Sequence, residues 1–183
     1  MPRHLLTGAE LTHETLTSLL RRAHELKESP RASRALQGRV VALVFEKPST
    51  RTRVSFEVGI VELGGHPMVL RGDEMQLSRG ESVKDTALVL SRHVDAIGVR
   101  TGPDAIVEEL AAEGSVPVFN MLTAGHHPCQ ALAVEDLGGN LLAGVRRQAV
   151  QRERAGRSTI EQRVADAVYT DCLLYTSDAA DEL

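Results

Sequence analysis

Apolar positions recur with two different spacings over the first 133 residues. Leu16, Leu19, Leu20, Ala23 and Leu26 follow the three-and-four step of a helix, which predicts a helix with one apolar face over 12–27. The run VVALVF at 40–45 has no polar member and predicts a short strand buried on both faces. Pro48, Ser49 and Thr50 follow, offering a cap for a helix over 52–63 that Gly64 and Gly65 would end. A short strand at 68–70 and a polar loop over 72–80 come next. Val83, Ala87, Leu88 and Leu90 then mark a helix over 81–93. A strand at 96–100, a helix over 104–113 and a strand at 116–120 complete the series, with Pro117 placing the last strand at an edge or at its own start. Strands alternating with helices of about ten residues predict an α/β fold: a three-layer α/β/α domain with a central parallel sheet. Such sheets bind ligands at the carboxyl ends of their strands. The conspicuous polar residues fall there, after Phe45, at Arg100 and after Asn120.

Beyond residue 133 the pattern fades. Arginines at 146, 147, 152, 154, 157 and 163 dominate a stretch with few large apolar residues, and no repeats occur. Composition narrows the classes. With 42% hydrophobic and 25% charged residues the chain is not disordered throughout, and 3% aromatics with no Trp require an aliphatic core. A formal net charge of -4 argues against a general nucleic-acid or anionic-membrane binder, while leaving a local anion site open. Cys129 and Cys172 are too few for a disulfide framework or a zinc cluster, which fits a reduced, cytoplasmic setting. No apolar run approaches the roughly 20 residues of a membrane span. The opening residues lead into a polar helix rather than a signal-peptide core.

The sharpest chemistry lies in FEKPSTRTR at 45–53. A buried strand ends, and hydroxyls, backbone N–H groups and guanidinium groups converge on a helix start. The positive end of the helix dipole and its unpaired N–H groups favour an anion. Ser49, Thr50 and Thr52 can donate hydrogen bonds, and Arg51 offers a fork matched to phosphate oxygens. The GxxxxGK[ST] phosphate loop is not present. A capped helix with solvated arginines would use the same residues.

FEKPSTRTRVSFE (45–57) resembles the carbamoyl-phosphate loop of the aspartate/ornithine carbamoyltransferases. The likeness continues through GGHPMVL (64–70), QLSRGESVKDTALVLSR (76–92), VDAIGVRT (94–101), VPVFN (116–120) and HPCQALA (127–133). By this resemblance residues 1–133 form a carbamoyl-phosphate-binding domain. Ser49, Thr50, Arg51 and Thr52 would hold the phosphate, Arg100 would add a cation, and His127 with Gln130 would contact the carbamoyl end. Arg51, Arg100 and His127 are the catalytic candidates. Gln76 is an ordinary loop residue or, in the homotrimer the resemblance implies, a visitor to a neighbour's site. The family's reaction joins carbamoyl phosphate and ornithine into citrulline and phosphate, a step of arginine biosynthesis, and needs no metal or organic cofactor. Donors aimed at the carbonyl oxygen and arginines at the departing phosphate would stabilise the transition state.

Each of these side chains also has a plainer use. Arg100 can be a surface charge at a strand end, His127 a residue before a helix-starting proline, His126 a loop residue and Cys129 a small buried group rather than a nucleophile. Glu81–Ala87 and Val89–Arg92 are closer to the ornithine branch than to the aspartate branch. An acidic residue that the ornithine branch carries after its Asn-x-Leu-Thr run is replaced here by Ala124. Aspartate and other amines, putrescine among them, stay open as substrates, as does a non-catalytic anion-binding or assembly module that uses the Arg-rich stretch as a partner face. The resemblance also implies a second, ornithine-binding domain, and its motifs do not occur in 134–183. That segment is expected to be a tail, poorly ordered or frame-shifted, ending in residues 168–183 that resemble read-through sequence. The 183-residue chain is accordingly expected to be a fragment, inactive alone.

Overall fold

The computed structural model describes residues 4–29 and 31–136. The expected tail and its Arg-rich stretch lie outside the described residues. Among the described residues five helices and four strands alternate: α1 (His13–Glu28), β1 (Val40–Phe45), α2 (Thr50–Glu62), β2 (His66–Arg71), α3 (Val83–Leu90), β3 (Ala96–Arg100), α4 (Asp104–Glu113), β4 (Val118–Leu122) and α5 (Pro128–Asp136). A 3-10 turn, Gln76–Arg79, lies in the loop after β2. The sheet is parallel throughout, in the order β2-β1-β3-β4. This is the α/β fold predicted from the alternation.

Strand β1 shows why the run at 40–45 carries no polar residue. Successive side chains of a strand point to opposite faces, and both faces here are covered. Ala42 and Val44 join Ala87, Val94, Ile97, Val99, Val107, Leu110 and Val118 beneath α3 and α4. Val41, Leu43 and Phe45 pack with Ile60 of α2 and Met121 on the other side. The core is otherwise mostly aliphatic; at its margin Phe56 and Phe119 stack with ring centroids 5.4 Å apart. Gly98 makes room for that pair: a methyl there would lie 2.5 Å from two ring atoms of Phe119.

Element ends moved where backbone chemistry decides them. Pro117 has no N–H to give the ladder, and β4 starts one residue after it, at the sheet edge, two residues later than the apolar run suggests. That edge is partly closed by Leu5, whose N–H donates to the Val118 carbonyl at 2.9 Å and whose carbonyl accepts from Asn120 N at 2.8 Å. Helix α3 starts at Val83 because Ser82 caps it, accepting from Asp85 N. Helix α1 keeps its apolar stripe, but Leu16, Leu20, Ala23 and Leu26 are only half-buried and Leu19 is exposed. Among the described residues no helix is long and apolar enough to cross a membrane.

Candidate functional site

The strand order places a crevice. From β1 the chain runs outward to β2 through α2, which packs on one face. The connections through α3 to β3 and through α4 to β4 lie on the other face. The carboxyl ends of β1 and β3 therefore flank the point where the winding reverses, the usual ligand position in open parallel sheets. Phe45 and Arg100 are register partners there, and Glu46 N donates to the Arg100 carbonyl at 3.0 Å. A register shift between Val99 and Arg100 pairs Arg100 with Leu122, a local irregularity where β3 enters the crevice.

Helix α2 begins at Thr50, two residues ahead of the 52–63 expected from periodicity. Thr50, Arg51 and Thr52 thus form its first turn, whose N–H groups have no partner within the helix. Ser49 stands at the cap position without making a side-chain capping bond. Thr12 and Ser82, by contrast, spend their hydroxyls capping α1 and α3. The Ser49 hydroxyl is therefore not committed to the helix. Ser49 and Thr50 line a cleft of about 660 Å³ with Glu46, Arg53, Arg71 and Asp73. A second cleft of about 550 Å³, beside Arg31, Arg34, Val58 and Val61, collects none of the expected site residues.

Two of the expected residues meet directly, and a third lies close enough to feel the charge of one of them. Arg100 Nη1 donates to Thr52 Oγ1 at 3.2 Å, across the gap between β3 and α2. His127 is buried at 8% exposure and feels the Arg100 guanidinium. Burial first, and Arg100 second, push its imidazole down to about 4, so the ring is neutral at pH 7. Its Nδ1 is buried and makes no hydrogen bond within the chain. A neutral imidazole has one donor and one acceptor nitrogen, which suits it to a carbonyl rather than to a second anion.

The other expected residues are more scattered. Gln130 is buried on α5, one turn from His127. Arg51 is exposed on the first turn of α2. Gln76 is exposed at the start of the 3-10 turn, where its carbonyl accepts from Glu81 N at 3.1 Å. Cys129 donates its thiol to the Asn120 carbonyl at 3.2 Å, and burial pushes that thiol up to about 12, which leaves it protonated and unreactive. Among the described residues no group of three or more His, Cys, Asp or Glu is placed to hold a metal ion.

Sequence reading passed over two polar ties that frame the crevice. Thr101 Oγ1 donates to the Glu46 carboxylate, joining the ends of β3 and β1. Asp104, the first residue of α4, accepts from the Thr123 hydroxyl and lies 3.2 Å from His126 Nδ1. These partners are 19 and 22 residues apart in sequence, and no local pattern joins them.

Fold and crevice together define a parallel α/β domain with cationic, hydroxyl and neutral imidazole groups gathered at its switch point. The family model described as aspartate/ornithine carbamoyltransferase, carbamoyl-P binding domain, matches residues 3–136, and the chain belongs to that family. The ornithine carbamoyltransferase of Bacillus thuringiensis subsp. konkukian is 56% identical over 131 residues, covering 72% of this chain and 41% of the relative. Among solved structures, ornithine carbamoyltransferase from Thermus thermophilus superposes with TM-score 0.71 at 39% identity, over 79% of this chain and 49% of that one. An N-acetyl-L-ornithine transcarbamylase mutant complexed with carbamyl phosphate and N-succinyl-L-norvaline gives TM-score 0.65 at 37% identity, over 72% of this chain and 46% of that one. The chain spans about two fifths of the length of the curated relatives it matches.

Proposed function

We propose that the crevice binds carbamoyl phosphate and presents it for transfer to the δ-amine of ornithine, giving citrulline and phosphate. The observation that carries this reading is the convergence of Thr52, Arg100 and His127 at the switch point of a domain of this family. Ser49, Thr50, Arg51 and Thr52 hold the phosphate through hydroxyls, a guanidinium and first-turn N–H groups, with Arg100 completing the positive wall. His127 and Gln130 address the carbamoyl carbonyl. As the amine attacks, the carbonyl oxygen gains negative charge, and a neutral His127 N–H stabilises it by hydrogen bonding. The arginines then stabilise the departing phosphate. Gln76, exposed on its turn, serves the site of a neighbouring copy in a homotrimer.

Residues 1–133 act as the carbamoyl-phosphate domain, and the amine is held by a second domain whose motifs 134–183 do not carry. The 183-residue chain alone therefore binds carbamoyl phosphate weakly and does not turn over, since closure of a second domain would exclude water and complete the donor set. We place it in the cytoplasm, with no nucleic-acid or membrane partner. Relatives include transcarbamylases named for ornithine and for N-acetyl-L-ornithine. The 56% identity to an ornithine enzyme favours ornithine.

Backbone amide shifts on adding carbamoyl phosphate test the site. They are expected to cluster at 49–53, 100–101 and 127–130, and shifts confined to other surfaces would refute it. A citrulline assay with ornithine tests the second claim: turnover by the purified chain contradicts it.

A further inference from the structure

The turn 123–126, which leads into His127, is clasped to the loop after β3 at several points. Thr101 N donates to the Leu122 carbonyl at 3.0 Å, and Ala124 N donates to the Gly102 carbonyl at 2.7 Å. Within the turn, Thr123 N donates to the His126 carbonyl at 2.9 Å. The side-chain member of the clasp is Asp104, which takes the Thr123 hydroxyl and faces His126 Nδ1 at 3.2 Å. The Thr123 hydroxyl is also within 3.0 Å of Asn120 Nδ2, so the carboxylate sits at the head of a chain of polar contacts reaching β4. Gly125 is what admits the carboxylate: a methyl at that position would collide with Asp104 Oδ2 and lie 3.2 Å from its Cγ.

His127 follows this turn directly, and its Nδ1 has no hydrogen bond within the chain to fix the ring. The clasped turn fixes the backbone from which the imidazole leaves the chain. We propose that Asp104 is a positioning residue: it locks the 123–126 turn onto the 101–104 loop and so holds His127 opposite Arg100. The inference rests on the reading that His127 addresses the carbamoyl end. Asp104 touches no substrate in this scheme. Its effect falls on discrimination between carbamoyl phosphate and inorganic phosphate, because only the former has a carbonyl for His127 to meet.

An acidic residue in the first turn of a helix also interacts favourably with the helix dipole, so the test must separate positioning from helix stability. The full 183-residue chain is labelled with ¹⁵N-histidine, and ligand-free imidazole spectra are compared for wild type, Asp104→Ala, Asp104→Asn and Gly125→Ala. Calorimetry gives the affinities for carbamoyl phosphate and for inorganic phosphate. Asp104→Ala and Gly125→Ala are both expected to move the His127 ring signals. Both should cut the carbamoyl-phosphate-to-phosphate affinity ratio about tenfold, with phosphate itself changed less than about twofold. Asp104→Asn, which keeps an acceptor for Thr123, should recover most of that ratio. Unchanged His127 signals and an unchanged ratio, with only a lowered melting temperature, would reduce Asp104 to a helix-end residue and overturn the proposal. Should wild type fail to prefer carbamoyl phosphate, the site reading falls, and the ligand-free His127 spectra still decide the role of Asp104. Should Asp104→Ala not fold, Gly125→Ala carries the comparison, with Asp104→Asn as the variant that keeps the clasp.

Discussion

Arg100 and Thr52 meet across the crevice, the guanidinium of a strand end donating to a hydroxyl in the first turn of a helix at 3.2 Å. The bond ties the tip of β3 to α2, elements that pack on opposite sides of the winding reversal. It aims one arm of Arg100 at the start of α2 and holds that turn against the cation. Thr52→Val keeps the shape and removes the hydroxyl. About 1–2 kcal/mol of phosphate affinity should be lost, roughly five- to thirtyfold, with little change in melting temperature. Calorimetric titration with inorganic phosphate beside a thermal melt checks both halves.

His127 should make stability depend on pH. Its folded-state value is depressed to about 4 from an ordinary 6.5, so between those values the unfolded chain binds the extra proton. Stability is therefore fully present above about pH 6.5 and falls as the pH drops toward 4. From pH 7 to pH 5 this group should remove about 2 kcal/mol. Urea unfolding at the two pH values measures it, and His127→Gln should flatten that component of the difference.

Gly98→Ala tests the packing around the stacked Phe56–Phe119 pair. The added methyl would press on Phe119 and lie 3.1 Å from Leu43 Cδ2. Overpacking of this kind costs about 1–3 kcal/mol. Shortening the obstacle with Phe119→Leu should recover part of the loss, which denaturant midpoints of the single and double variants would reveal.

Cys129 should resist alkylation. With its thiol raised to about 12 and donated to the Asn120 carbonyl, the thiolate is scarce at pH 8. Mass spectrometry after iodoacetamide treatment should find Cys129 unmodified in the folded chain and modified in urea.

Much of the scaffold was legible because its signals are local. A six-residue apolar run rich in Val suits a strand covered on both sides, and Val40–Phe45 is that strand, in the interior of the sheet. Pro117 correctly pointed to an edge. Periodicity places the start of α2 two residues late because it is blind to Thr50 and Arg51, polar residues that are helical through position and not through burial. Arg100 and His127 were named from motifs, but their proximity depends on the β1-β3-β4 order, which no single segment encodes. Asp104 and His126 show the limit most clearly. His126 read as a loop residue, since its partner is on another connection and meets it only once β3 and β4 are paired.

The proposed function requires that the hydroxyls and arginines at the switch point bind carbamoyl phosphate. Calorimetric titration of carbamoyl phosphate into wild type, Arg51→Ala and Arg100→Ala tests it most directly. Loss of a charge-assisted contact to phosphate should weaken binding by about 1.5–3 kcal/mol, roughly tenfold or more, in each variant, with the fold retained by circular dichroism. Equal affinity in all three proteins would contradict the account.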